Sequence, residues 1–468
     1  MDRETATRLS LPWRPVFCRA CSTDAGAGLI AIVGESSISV VAAVPSHVGT
    51  GSDDVDLVTL VTFSIGALTT AVAWSPASKL HIKADATEQL EGGEASSGAS
   101  MLAWDVELLI TTNKSLSLLR ASAWETASSS SPSVTEVLAL SSPAVDVDWC
   151  HVEGYAAHAA VASADGTLSL LNLHATPSSV VPQSAKGSDP GYHELTQENE
   201  TLLEEASHLF SKGLRSVRYH PSLARLLLVS DIAGTLHVLD WTESASTSYS
   251  GGLGNIDLRS SSLTPGRKVL LTVSSPKLLA SNVMYRTRLH SAGKAEWRDE
   301  DSFGAALGTQ WAIWDLKNAF GGTPALTGGL PNTASAGATV IARSGTESGG
   351  GLVFSHQNRS TFLTFSRAAV SSAKEVRLQL HEASIRRGRA SEVFESSTGL
   401  DIPHSILTRT GAKGWRAGIA GPAIRDAAWV ALPVQDEFAG TDRERIVVLL
   451  GDEVVVVPKH LGLDFLTA

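Results

Sequence analysis

The chain has 468 residues, 43% of them hydrophobic and 18% charged, which is enough apolar material for a large core. Its formal net charge of -11 argues against a nucleic-acid partner, because a phosphate backbone would be repelled without a compensating basic patch. Three cysteines exclude a disulfide scaffold, and no apolar run reaches the roughly 18 residues of a membrane-spanning helix. The longest, IVVLLGDEVVVV, is broken by Gly451, Asp452 and Glu453. The opening text MDRETATRLS has no apolar core of a secretory signal. The expectation is a soluble intracellular protein, in which the N-x-S/T matches at Asn199 and Asn358 are chance.

Taken in chain order, one phrase recurs: a short strand, often with an aromatic residue near its end, then strand–turn–strand. PVFC at Pro15 leads to LIAIVGESSISVVAAV from Leu29, and AVAWSP at Ala71 to LLITTNKSLSLLR from Leu108. VDVDWC at Val145 leads to AAVASADGTLSLLNL from Ala159. SVRYHP at Ser216 leads to a strand at Leu226, a polar turn from Ser230 to Gly234, and a strand from Thr235 to Trp241. SNVMY at Ser281 precedes AALGTQWAIWDL from Ala305, and GLVF at Gly351 precedes FLTFSRAAVSSAKEVRLQL from Phe362. AAWVALP at Ala427 precedes IVVLLGDEVVVVP from Ile446. This pattern predicts an all-β protein, a single seven-bladed β-propeller over residues 1–468. A β-sandwich is the runner-up, but it would not need the same phrase seven times.

The repeats are spaced more widely than the roughly 40–45 residues of a compact propeller repeat. The excess is polar, glycine- and serine-rich text, expected as loops at 45–56, 81–100, 121–142, 177–192, 242–265, 317–350 and 382–423. The basic run IRRGR, with Arg386, Arg387 and Arg389, reads as a solvated loop. One insert, 177–213, differs. Its residues Leu195, Leu202, Leu203, Ala206, Leu209 and Phe210 share one helical face, which predicts an amphipathic helix over 193–212. Such a helix would pack on the propeller rim or dock on a partner.

Chemical motifs are weak. Cys18-Arg19-Ala20-Cys21 is a C-x-x-C without a second ligand pair, and Cys150-His151 stands apart from it. GAGLIAIVGE (26–35) precedes a strand rather than a helix and reads as a turn into the first hairpin, not a phosphate loop. EWRDED (296–301) lacks the alternation of a calcium loop and reads as a solvated acidic loop. His220, Ser230 and Asp231 lie on one repeat, and matching strand text recurs elsewhere without them, so they read as packing and turn residues rather than a triad. No catalytic, cofactor-binding or metal-binding residue is assigned, no cofactor is expected, and the chain is expected not to be an enzyme. A propeller hydrolase would need acids or histidines clustered at the channel mouth.

With the repeats in hand, the chain resembles WD-repeat proteins. Trp314-Asp315 ends a third strand as the repeat's Trp-Asp does, Asp240-Trp241 is a variant of it, and Asp165 and Asp231 lie in hairpin turns. Trp104-Asp105 is expected to precede a strand and to be incidental, and the repeat's Gly-His is absent. More specifically, the chain is similar to the small WD-repeat nucleoporins of the Y-shaped outer-ring complex of the nuclear pore. The words carrying this are Gly28-Leu29-Ile30-Ala31 with Gly34, Val72-Ala73-Trp74-Ser75-Pro76, Ser216-Val217, His220-Pro221, Gly234-Thr235 and Trp311-Ala312-Ile313-Trp314-Asp315, expected in blades one, two, four and five. The resemblance implies a non-enzymatic scaffold subunit at the nuclear envelope, within the nuclear pore complex. Its implied partners are the large arm nucleoporin, a propeller joined to a helical stack, and other subunits of the Y. It implies no nucleic acid, no membrane insertion and no small-molecule substrate. The alternative is a WD-repeat adaptor of another assembly, such as a ubiquitin-ligase substrate receptor or a chromatin complex.

Overall fold

The structure is a computed structural model that describes residues 7–46, 55–82, 102–123, 130–173, 204–244, 267–274, 292–307, 310–317, 324–331, 350–358, 360–367, 376–387, 392–403, 423–433 and 443–457. After a short β1 (Thr7–Ser10), blade one is β2 (Pro15–Ala20), β3 (Leu29–Gly34), β4 (Ser37–Pro45) and β5 (Val55–Ser64). Blade two is β6 (Thr69–Trp74), β7 (Lys79–Ile82), β8 (Leu102–Thr112), β9 (Ser115–Ser122) and β10 (Ser130–Ala139), with β6 and β7 pairing successive stretches of the long β8. Blade three is β11 (Ala144–Trp149), β12 (His158–Ser163), β13 (Thr167–Asn172) and β14 (Glu204–Leu209). Blade four is β15 (Leu214–Tyr219), β16 (Leu226–Asp231), β17 (Leu236–Ser244) and β18 (Arg267–Val273). Blade five is β19 (Ala292–Trp297), β20 (Ser302–Leu307), β21 (Gln310–Asp315) and β22 (Leu326–Gly329). Blade six is β23 (Gly350–Phe354), β24 (Thr361–Ser366), β25 (Val376–Arg387) and β26 (Glu392–Pro403). Blade seven is β27 (Ile424–Ala431), β28 (Glu444–Leu450) and β29 (Glu453–Val457), completed by β1, whose Thr7 pairs with Val456.

The seven antiparallel sheets close into a ring. First strands β6, β11, β15, β19, β23 and β27 pack each against the next, β27 packs on β2, and blade one meets blade two through β3 and β6. The middle strands are apolar on both faces because each blade is sandwiched between two others. In β3, Leu29, Ala31 and Val33 pack with Val72, Trp74 and Leu108 of blade two. The alternate residues Ile30 and Ile32 pack with Val447 and Leu449 of blade seven. The tryptophans at or near the ends of β6, β19 and β27 tie neighbouring blades. The indole Nε1 of Trp74 donates to the Arg19 carbonyl at 2.9 Å, that of Trp297 to the Arg218 carbonyl at 3.3 Å, and that of Trp429 to the Val353 carbonyl at 3.3 Å. Antiparallel order puts the described first-to-second connections of the blades on one face of the ring, here the upper face.

Several expectations are corrected. Residues 204–209, the second half of the expected helix over 193–212, form β14, paired from Thr167↔Leu209 to Leu171↔Glu204. Ala206 is buried while Leu209 is 63% exposed, and pairing satisfies the backbone groups that β13 would otherwise leave open. Residues 193–203 lie outside the described residues, among which there is no helix. Fourth strands β10, β22 and β26 occupy text expected as loops, because a half-exposed outer strand is polar and lacks apolar alternation. Ile385 to Arg387 of the expected basic loop belong to β25. The first strand of blade five is β19, not SNVMY, which lies outside the described residues. Trp104-Asp105 lies inside β8, with Trp104 buried.

Candidate functional site

Channel-lining positions of the first strands alternate, since alternate side chains of a strand share a face, and in β11, β15 and β19 they stand one and three positions before the strand's aromatic. These positions hold Phe17 and Arg19 in β2, Asp146 and Asp148 in β11, Ser216 and Arg218 in β15, Lys294 and Glu296 in β19, and Asp426 in β27. Their charges meet across blades. Asp146 receives the Arg218 guanidinium on Oδ2 and Lys294 Nζ at 2.7 Å on Oδ1, and its Oδ2 also accepts the Val217 N–H at 3.1 Å. Asp148 accepts the Tyr219 N–H at 2.8 Å. Arg19 reaches from blade one to Asp148 of blade three at 3.3 Å and to Glu296 of blade five at 3.4 Å. Asp426 accepts the Cys18 N–H at 3.1 Å, and Ser216 Oγ accepts the Ala295 N–H at 3.0 Å. A channel carboxylate or hydroxyl thus takes a backbone donor of the next blade at several junctions.

Two equivalent aspartates sit in opposite electrostatic settings. Burial alone would push the Asp146 carboxyl up, but Arg218 and then Lys294 outweigh it and hold it at about 2. Burial also raises Asp426, and the single guanidinium of Arg367, 3.7 Å away, does not overcome it. For Arg218, burial pulls the pKa down, but Asp146, Asp148 and Glu296 together raise it. The channel is a charge-balanced, interlocked centre, with side-chain exposure of only 1% at Asp146 and 5% at Arg218.

The motifs singled out in the sequence do not converge. Cys18 packs with Ile30 and Ile32 on one side of blade one, and Cys21 with Leu29 on the other, so the C-x-x-C thiols enter different cores. Burial raises both, Cys18 further under the influence of Asp426, and burial pushes Cys150 up to about 11. His151 donates through Nε2 to the Trp74 carbonyl at 2.9 Å. His220 donates through Nε2 to the Glu300 carbonyl at 2.8 Å and accepts the Leu223 N–H at 3.0 Å, on the upper face. Asp231 binds the Ala233 and Thr235 N–H groups of the opposite turn at 2.9 and 2.8 Å, while Ser230 pairs with Ser216 at 2.6 Å. These three residues of blade four therefore serve separate packing tasks. EWRDED is corrected: Glu296 lines the channel, Trp297 clamps blade four, and Arg298 is buried with Nη2 on the Ala383 carbonyl at 3.2 Å. GAGLIAIVGE is the turn into β3, with Gly28 at φ 89°. Among the described residues, no group of three or more His, Cys, Asp or Glu is placed to hold a metal ion.

Sequence reasoning passed over Asp146, Asp148, Arg218, Lys294 and Glu296. The signal was present as alternation before an aromatic: VDVDW, VRY and KAEW.

The fold and channel define a seven-bladed β-propeller. No family model matches the chain, and no curated protein matches it. Among solved structures, the WD40 domain of Toxoplasma gondii coronin is similar, at 11% identity and a TM-score of 0.46, over 98% of this chain and 88% of that one.

Proposed function

We propose that the chain is a non-enzymatic scaffold subunit of the nuclear pore, a member of the Y-shaped outer-ring complex that binds the large arm nucleoporin. The observation that carries this reading is the ordered set of nucleoporin-like words and where they lie. Gly28–Ala31 and Gly34 enter and end β3 of blade one, and Val72–Trp74 close β6 of blade two. Ser216-Val217 lie in β15, His220-Pro221 follow it, and Gly234-Thr235 form the hairpin turn of blade four. Trp311–Asp315 lie in β21 of blade five.

The chemistry of the channel agrees with a scaffold. The cationic groups Arg19, Arg218 and Lys294 all face carboxylates, so the pore is filled by internal pairing rather than by an open cationic ring for a peptide. Binding then falls to loops, edges and faces of the ring. The test is purification of the tagged chain from its own cells with identification of the co-purifying proteins. The reading predicts the large arm nucleoporin and other Y-complex subunits in stable amounts, with the tagged chain at the nuclear rim. Recovery of a ubiquitin-ligase or chromatin assembly instead would assign the propeller to the adaptor class.

A further inference from the structure

Each blade-to-blade connection leaves a fourth strand and enters a first strand, so its two ends lie on the face opposite the first-to-second connections, the lower face. The text of these connections is one-sided in charge. Across 11–14, 65–68, 140–143, 210–213, 274–291, 330–349 and 404–423 the one acid is Glu347, although the whole chain has 48 Asp+Glu against 37 Lys+Arg. Two of them, which lie outside the described residues over 275–291 and 404–422, hold Lys277, Arg286, Arg288, Arg409, Lys413 and Arg416. The described part of the lower face carries free cations of its own. Arg14, before β2, and Lys114, between β8 and β9, are exposed and have no ion-pair partner among the described residues. Lys212, after β14, has a side chain 52% exposed and comes only within 3.9 Å of Asp231. Interleaved with them stand three of the eight exposed large hydrophobic side chains of the described residues: Val16 near the start of β2, Leu68 before β6 and Leu209 at the end of β14, at 40%, 53% and 63% exposure. The exposed acids Glu35, Asp165 and Asp452 stand singly in the hairpin turns of blades one, three and seven. On the upper face the balance reverses: the first-to-second connections of blades one, three, four and five hold Asp24, Glu153, Asp299, Glu300 and Asp301 against Arg225 and Arg298.

We propose that the lower face across blades one to four is a docking surface for an acidic protein partner that brings apolar side chains of its own. The sign rests on the whole face rather than on one residue. Arg14 and Lys114 break no internal pair when a partner's carboxylates reach them, and connections of one sign steer a negative surface to this side of the ring. The apolar residues decide between negative occupants. A nucleic acid meets such a surface mainly with its phosphates, which would leave Val16, Leu68 and Leu209 uncovered. An anionic bilayer takes an amphipathic helix or an acyl chain into its interface, whereas Val16 and Leu209 are fixed on strands of the ring. A protein interface joins apolar contact to cations in one patch. The proposal rests on the scaffold reading and names the face, and the partner chemistry, through which it would act.

The experiment uses the full tagged chain purified from its own cells, as wild type, as the pair Arg14→Glu with Lys114→Glu, as the pair Arg14→Gln with Lys114→Gln, as Leu68→Glu, and as Leu223→Glu on the upper face, with melting temperature measured for each. A photo-crosslinking residue at position 68 is expected to join the principal stoichiometric partner of the wild type through a peptide with an excess of Asp and Glu, and one at position 223 is not. The yield of that partner is expected to fall at least tenfold with the glutamate pair and with Leu68→Glu, to fall less with the glutamine pair, and to persist with Leu223→Glu. Undiminished yield with both the glutamate pair and Leu68→Glu, or a crosslinked peptide without excess acid, overturns the site; the glutamine pair decides if the glutamate pair fails to fold. The wild type is also mixed with double-stranded DNA and with vesicles of equal parts phosphatidylcholine and phosphatidylserine at about 0.15 M salt. Binding to either that the glutamate pair abolishes overturns the protein occupant. The partner's identity separately tests the nucleoporin reading, and a wild-type chain that purifies alone overturns both.

Discussion

Replacing Asp146 with asparagine removes the charge that holds blades three, four and five together. In the fold its carboxyl lies at about 2 rather than the usual 3.8. At about 1.4 kcal/mol per pH unit, that depression corresponds to roughly 2–3 kcal/mol of stability at neutral pH. The variant also leaves Arg218, 5% exposed, and Lys294 without their shared counter-charge. Breaking a buried pair on one side costs about 3–5 kcal/mol. These figures overlap, since both describe the same carboxylate, so Asp146→Asn is expected to lose about 3 kcal/mol at pH 7. The sign with pH follows from the depressed value. The contribution is present above the ordinary carboxylate range and is lost as pH falls from about 4 towards 2. The gap between wild type and variant in urea and thermal unfolding, measured from pH 7 to pH 3, should therefore hold down to about pH 5 and narrow to about half by pH 3. A loss below 0.5 kcal/mol at pH 7, or a gap that stays constant with pH, would refute the argument that the channel network fastens the ring.

Asp426→Asn is expected to behave in the opposite way. Burial raises the Asp426 carboxyl, so its ionised form is disfavoured in the fold and its contribution worsens as pH rises; the amide oxygen can still accept the Cys18 N–H. Equal or higher melting temperature than wild type at pH 7.5 is expected, and a loss above about 1 kcal/mol would contradict it. Trp314→Ala should cost about 3–5 kcal/mol in urea unfolding, because the indole is fully buried and stacked on Phe303 at 5.9 Å; lost binding at unchanged melting temperature would contradict the core assignment. Gly28→Ala should cost about 2 kcal/mol or more and Gly66→Ala about 1. Both have positive φ, but a Cβ at Gly28 meets the Ala43 carbonyl at 2.7 Å whereas one at Gly66 meets nothing within 4 Å. Equal melting temperatures for the two variants would refute that distinction.

The inner three strands of most blades were legible because their burial on both faces writes continuous apolar text, as in β3 and β16. Fourth strands were not, because an outer strand is only partly covered: β10 exposes Val134, and β14 exposes Leu209. The text of β14 carries a helical period but no two-residue alternation, since Ala206 and Leu209 fall on opposite strand faces, and only the open edge of β13 makes it a strand. The charged channel was half legible. The alternation in VDVDW marks a strand with a polar face, yet which cation meets Asp146 depends on Arg218 and Lys294 arriving from two later blades.

The most direct test of the scaffold reading is to mix the purified full-length chain with the purified large arm nucleoporin of the same organism and measure the mass of the product by size-exclusion chromatography with light scattering. The account predicts a stable one-to-one complex with a dissociation constant on the order of 0.1 μM or tighter. Two separate peaks at micromolar concentration, with both proteins folded, would contradict it.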